Sequence, residues 1–220
     1  MPGCVDDFGH REVPRADRLL RGPAFARNHA PIWSAIAPLL QDRGGDVLEV
    51  GSGPGEHVVA YAALSPAVTW WPSDIDPRYL ASIAAWRAHA RLANVQAPAR
   101  VDLRAADWDS VLPMPAPLLA ILCINVLHIS PWDVTENLLA GAGRQLAPHG
   151  RLFVYGPFRR DGAHTAPSNA AFDASLRAQD PAWGVRDTRD IAAVANRCRL
   201  RIAEMAPMPA NNFTLVIERT

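Results

Sequence analysis

Residues 46–57 read Asp-Val-Leu-Glu-Val-Gly-Ser-Gly-Pro-Gly-Glu-His, and no other segment constrains the fold of this chain as tightly. Val47, Leu48 and Val50 form the short apolar run of a buried strand, and Gly51, Ser52, Gly53 and Gly55 follow it directly. A helical pattern then begins near Glu56. Strand, glycine-rich turn, helix is the opening of a parallel α/β sheet in which a ligand touches bare backbone. The turn overlaps a dinucleotide fingerprint, but the third glycine of G-x-G-x-x-G would fall where Glu56 stands.

Strand and helix patterns alternate along the rest of the chain. Strands are expected at 46–50, 67–71, 100–104, 118–124, 150–155, 200–206 and 213–218. Helices are expected at 28–40, 55–64, 77–91, 132–146, 169–178 and 188–197, with Asp76 and Asp187 placed to cap two of them. Only Pro207 to Asn212 separate the last two strands, so these pair as an antiparallel hairpin. The expected fold is α/β and Rossmann-like. It has a seven-stranded, mostly parallel sheet, a C-terminal antiparallel hairpin and helices on both faces, the plan of class I methyltransferases.

Composition narrows the partners. At 220 residues, the chain suits one domain (25–220) with an N-terminal extension (1–24). A formal net charge of +0 offers no steering toward nucleic acid or an anionic membrane. No apolar run approaches the roughly 20 residues of a membrane span. Cys4, Cys123 and Cys198 form no disulfide framework, which fits a reducing cytoplasm. His10, His29, His89 and His149 show no metal spacing, so no metal is expected.

The carboxylates around the turn favour one ligand. Glu49 and Glu56 flank it and would repel a pyrophosphate. They suit the ammonium and sulfonium of S-adenosyl-L-methionine (SAM), whose own carboxylate can use amides at the helix start. Asp74 stands about 20 residues beyond the turn, where an acid accepts from ribose hydroxyls. Asp107, after the third strand, is placed to accept from the adenine amino group, with the next amide touching the ring and Trp108 walling the pocket.

These elements, in this order, resemble the class I SAM-dependent methyltransferases. The wording of Arg27-Asn28-x-x-Pro31-Ile32, of 47–57, of Pro72-Ser73-Asp74 and of Asn125-Val126-Leu127-His128-Ile129-Ser130-Pro131-Trp132 is closer still. With Tyr155-Gly156-Pro157-Phe158, Asn169-x-x-Phe172-Asp173 and Met208-Pro209-Ala210-Asn211-Asn212, it resembles an uncharacterised family that includes methyltransferase-like protein 26. The resemblance runs from about residue 24 to 218. It implies a SAM fold and includes His57 in the cofactor motif; Pro54 departs from a common threonine.

The methyl acceptor is expected at the carboxyl ends of the strands, where open α/β sheets bind ligands. Asn125 and His128 stand after the fourth strand and Tyr155 ends the fifth, and these are the candidate catalytic residues. His128 is a candidate base, needed only if the acceptor must lose a proton. Arg159, Arg160 and His164, the start of the helix at Asn169, Phe172 and Asp173, and the turn at Asn211 and Asn212 lie on the same side. The helix before the first strand would cover the cofactor, bringing Arg27 to its carboxylate with help from Asn28. The expected function is SAM-dependent methylation of a small molecule, with no nucleic-acid or membrane partner. The alternatives are a non-catalytic SAM-fold module, a nicotinamide oxidoreductase, and, ranked lower, a protein methyltransferase.

Overall fold

The computed structural model describes residues 19–41, 43–114 and 117–220. Positions 1–18 of the expected extension, with Cys4 and His10, lie outside the described residues. The chain runs α1 (Phe25–Leu40), β1 (Gly45–Val50), α2 (Glu56–Leu64), β2 (Val68–Asp74), α3 (Pro77–Ala90) and β3 (Ala99–Arg100). It continues through β4 (Leu118–Ile124), α4 (Trp132–Gln145), β5 (Leu146–Gly156), β6 (Phe158–Arg160), β7 (Ala163–His164) and α5 (Pro167–Gln179). It closes with β8 (Arg186–Asp187), α6 (Thr188–Arg197), β9 (Leu200–Met208) and β10 (Asn212–Arg219).

Seven strands form one sheet in the order β3-β2-β1-β4-β5-β10-β9. Strands β1 to β5 pair in parallel. β10 runs antiparallel to both β5 and β9, which makes β9 parallel to the rest. The expected architecture and the terminal hairpin are therefore present. Successive residues of β1 feed opposite cores, as the period of two requires. Leu48 and Val50 join the layer that includes α4 and α6, whereas Val47 packs with Ile32 and Ile36 of α1 and Val58 and Tyr61 of α2. Asp76 caps α3 by accepting from the Arg78 amide at 2.8 Å, and Asp187 caps α6 from Arg189 at 2.9 Å.

Two features differ from expectation. The strand expected at 100–104 pairs only at Ala99–Arg100. Val101 and Leu103 are buried as the alternation requires, but Asp102 accepts from the Arg104 amide at 3.0 Å and bends the chain into a turn. In addition, β6, β7 and β8 form a small second sheet that two- and three-residue patterns do not reveal.

Candidate functional site

The glycine turn is held by the strand beside it. The Ser52 amide donates to the Ser73 carbonyl at 2.8 Å, and the Ser52 hydroxyl donates to the Glu49 carbonyl at 3.1 Å. Ser52 is thus committed to the framework. Gly51 has φ +62, and a Cβ there would lie 2.5 Å from Val126 Cγ2. Gly55, at φ +97, would meet the Ile83 backbone at 3.0 Å. Only glycine satisfies both the positive φ and the close approach. The Gly53 amide donates to Asp74 Oδ2 at 2.8 Å, and Asp74 Oδ1 accepts from the Asp76 amide at 2.9 Å. Asp74 is buried, and burial raises its pKa against the opposing pull of these amides.

The two flanking glutamates have different fates. Glu56 accepts from the Gly22 amide at 2.5 Å and lies 3.5 Å from Arg21, so it fastens the segment before α1 instead of facing a ligand. Glu49 is 1% exposed, and its Oε2 has no hydrogen-bond partner. Burial, with a smaller push from Asp74, raises its pKa to about 8. An unpartnered carboxylate at that depth is costly unless a cation or a proton meets it.

Two cavities open at the carboxyl ends of the strands, on either side of the loop after β4. The smaller, about 280 Å³, is lined by Gly51, Asp74, Ile75 and the turn at 101–104, with Val126 and Ile129 across from them. The larger, about 530 Å³, is bounded by α1, the loops after β4 and β5, the start of α5 and the hairpin turn. Arg27, Asn28, Asn125, His128, Tyr155 and Phe172 all line it. The expected convergence of these loops is therefore seen, with α1 as an added wall.

Several polar groups in the larger cavity are held from behind. Asn125 has φ +59, and its amide donates to the Tyr155 carbonyl at 2.9 Å. His128 is buried, its ring edge-on to Phe172 at 5.4 Å. Burial, and then the Arg186 charge, lower its pKa to about 4. Asn28 Oδ1 lies 2.9 Å from His57 Nε2, and Asn28 Nδ2 faces the Tyr155 hydroxyl across the cavity wall. Burial also lowers the His57 pKa to about 4, so its ring is neutral near pH 7. His57 thus reaches the cavity through Asn28. Asn169, buried on α5, donates to the Asn211 carbonyl at 2.9 Å and clips the hairpin turn to the helix.

Several nominated residues stand elsewhere. Trp108 is a core residue: its Nε1 donates to the Asn137 carbonyl at 2.8 Å and its ring lies against Gly141 of α4. Its backbone amide, offered to adenine by the sequence reading, donates to the Ala105 carbonyl at 3.2 Å. Asp107 is exposed and does not line the smaller cavity. The turn made by Asp102 moves these two residues off the pocket wall. Gly141→Ala should therefore destabilise the protein by about 1–3 kcal/mol, because its methyl would lie 2.4 Å from the Trp108 ring. A fall of several degrees in Tm checks it; an unchanged Tm would refute the packing. Arg159 and His164 belong to the small sheet, near Asp187 at 3.9 Å and Asp173 at 3.5 Å, and neither lines the cavity. Ile75 and Asp102 line the smaller cavity without having been singled out. Ile75 carried a signal, being a large apolar residue between two aspartates, and it remains 38% exposed.

The model of the family described as "Protein of unknown function (DUF938)" matches residues 21–219. Similar solved structures include an O-methyltransferase family protein from Burkholderia thailandensis (TM-score 0.74, 16% identity, 90% of this chain and 57% of that one). Another is an O-methyltransferase family 2 protein from Planctomyces limnophilus DSM 3776 in complex with apigenin (0.68, 20%, 94% and 56%). A third is the O-methyltransferase NcsB1 from neocarzinostatin biosynthesis, in complex with SAM and 2-hydroxy-5-methyl naphthoic acid (0.65, 12%, 87% and 56%). The chain spans little more than half the length of each. At these identities the likeness shows the fold, a Rossmann-like methyltransferase fold.

Proposed function

This chain belongs to the DUF938 family, and on that premise we propose that it is a SAM-dependent methyltransferase of a small-molecule acceptor, with residues 25–220 as its catalytic domain. The observation that carries the reading is the buried, unpartnered Glu49 carboxylate at the foot of the glycine turn. A cationic ligand answers that group; the pyrophosphate of a nicotinamide cofactor does not. The solved O-methyltransferases of this fold support the same reading, as does the resemblance of the chain's motifs to the family of methyltransferase-like protein 26.

The residues fit the cofactor at both ends. Asp74 is the ribose acceptor, with Ile75 and Ile129 as apolar walls of the smaller cavity. Glu49 takes the ammonium, and the positive φ of Gly51, Gly53 and Gly55 sets the path of the turn above it. Arg27 and the Asn28 amide serve the carboxylate, with His57 fixing the orientation of Asn28. When bound, the cofactor supplies an electrophilic methyl carbon. Asn125, His128 and Tyr155 then orient the acceptor, and holding it about 3 Å from that carbon supplies roughly 7–11 kcal/mol. Buried Cys123 and partly buried Cys198 are free thiols, which suit a reducing cytoplasm.

Calorimetric titration with S-adenosylhomocysteine and NADH tests the reading. Micromolar binding of the first alone is expected; binding of NADH alone would overturn it. His128 gives a second test. With its pKa near 4, it is neutral throughout pH 6–8, so its titration should add no limb to kcat/KM for the acceptor, measured at saturating SAM, over that window. A limb near pH 6.5 that disappears in His128→Gln would show a charged, solvated imidazole instead.

A further inference from the structure

We propose that the methyl acceptor is an anionic oxygen nucleophile, a carboxylate, carried on a ring-sized apolar body. The inference rests on the methyltransferase reading above and narrows it. Among the described residues, no aspartate or glutamate lines the larger cavity. Asp173, next to the lining residue Phe172, is turned to other work: it accepts from the Val185 amide at 2.6 Å and from Arg177 at 3.2 Å. An ammonium group entering the cavity would therefore meet no counter-charge among the described residues, while the cofactor's sulfonium would repel it. The polar lining instead offers neutral donors, the Asn125 side-chain amide and the Tyr155 hydroxyl. Phe172, 40% exposed, and Pro157 and Pro209 supply apolar walls.

Proton balance points the same way. His128 is too weak a base to deprotonate an ammonium of pKa about 10, since its own conjugate acid forms near pH 4. A carboxylate, with a pKa of about 4, is already ionised at pH 7 and needs no base. Its oxygen lone pair forms the bond to the methyl carbon as the carbon–sulfur bond breaks, and that electron pair stays on sulfur. A carboxylate and a sulfonium become a neutral ester and a neutral thioether, with no proton to place. Removal from water favours such a charge-neutralising step.

Calorimetry on the protein saturated with S-adenosylhomocysteine tests this with two probes at pH 7, benzoate and benzylamine. Benzoate should bind with a Kd on the order of 1 mM and benzylamine at least about tenfold more weakly. Phe172→Ala, at an exposed position that does not endanger folding, should weaken benzoate about fivefold. Benzylamine binding as tightly as benzoate, no benzoate binding up to about 10 mM, or unchanged benzoate affinity in Phe172→Ala would each overturn the proposal while leaving the cofactor reading intact. Failure of S-adenosylhomocysteine itself to bind would overturn both.

Discussion

Replacing Asp74 by alanine should weaken S-adenosylhomocysteine binding by about 100-fold or more. Two losses add. The ribose hydroxyls lose a charged acceptor, worth about 1.5–3 kcal/mol. The Gly53 and Asp76 amides, which donate to Asp74 at 2.8 and 2.9 Å, lose their partner. An amide left unsatisfied in a buried turn costs about 1–3 kcal/mol, or the turn relaxes and its shape is lost. Asp74→Asn separates the two effects. It keeps one acceptor oxygen, so it should hold part of the turn yet still bind more weakly than wild type. Calorimetric titration of both variants, with Tm recorded beside it, checks the expectation. Unchanged affinity in Asp74→Ala would remove this residue from the cofactor site.

The second large effect is a proton linkage at Glu49. With its pKa raised to about 8, Glu49 is protonated in the unliganded protein at pH 6–7. The groups that face it are Asp74 from β2, Tyr61 from α2 and Cys123 from β4, and none of them is a cation. A ligand ammonium makes the ionised form favourable, so binding should release close to one proton below pH 8. Affinity should then rise with pH, by at most about tenfold per unit, and level off above about 8. The unliganded protein should show the opposite trend. Between the ordinary glutamate pKa and about 8, the folded state binds more protons at Glu49 than the unfolded state does. Stability therefore falls as pH rises through that window. Titrations in buffers of different ionisation enthalpy count the protons. Glu49→Gln should release none and should flatten the pH dependence of Tm between 6 and 8. If wild-type binding releases no proton at pH 7, Glu49 does not meet the ammonium.

Much of this molecule was legible before any coordinates. Period-two and period-3.6 patterns located the seven strands of the main sheet and the six α-helices of the described residues, because each element buries one face or both. The third strand failed at its end for a local reason. Val101 and Leu103 alternate as strand residues do, yet Asp102 and Arg104 bond to each other and turn the chain. That same turn explains why the expected adenine wall at Asp107 and Trp108 was misplaced. Trp108 also answers a gap opposite Gly141, 33 residues away, which no local pattern reports. Among the glutamates, position alone made Glu49 and Glu56 equivalent. Only tertiary contacts gave Glu56 the Gly22 amide and left Glu49 with an empty oxygen.

The sequence by itself determined the order of elements, the strand–glycine–helix turn, Asp74 as the acid at the end of the second strand, and the loops from which the acceptor site is built. These follow from short-range rules: side-chain period, glycine's access to positive φ, and strand ends that share one edge of a parallel sheet. Tertiary structure alone decided which charges are buried and which are answered. It put Asn28 against His57, drove the His128 and His57 imidazoles neutral, kept acids out of the larger cavity and left Glu49 waiting for a cation. The reason is physical: desolvation and pairing depend on every neighbour within a few ångströms, and those neighbours come from residues far apart in the chain.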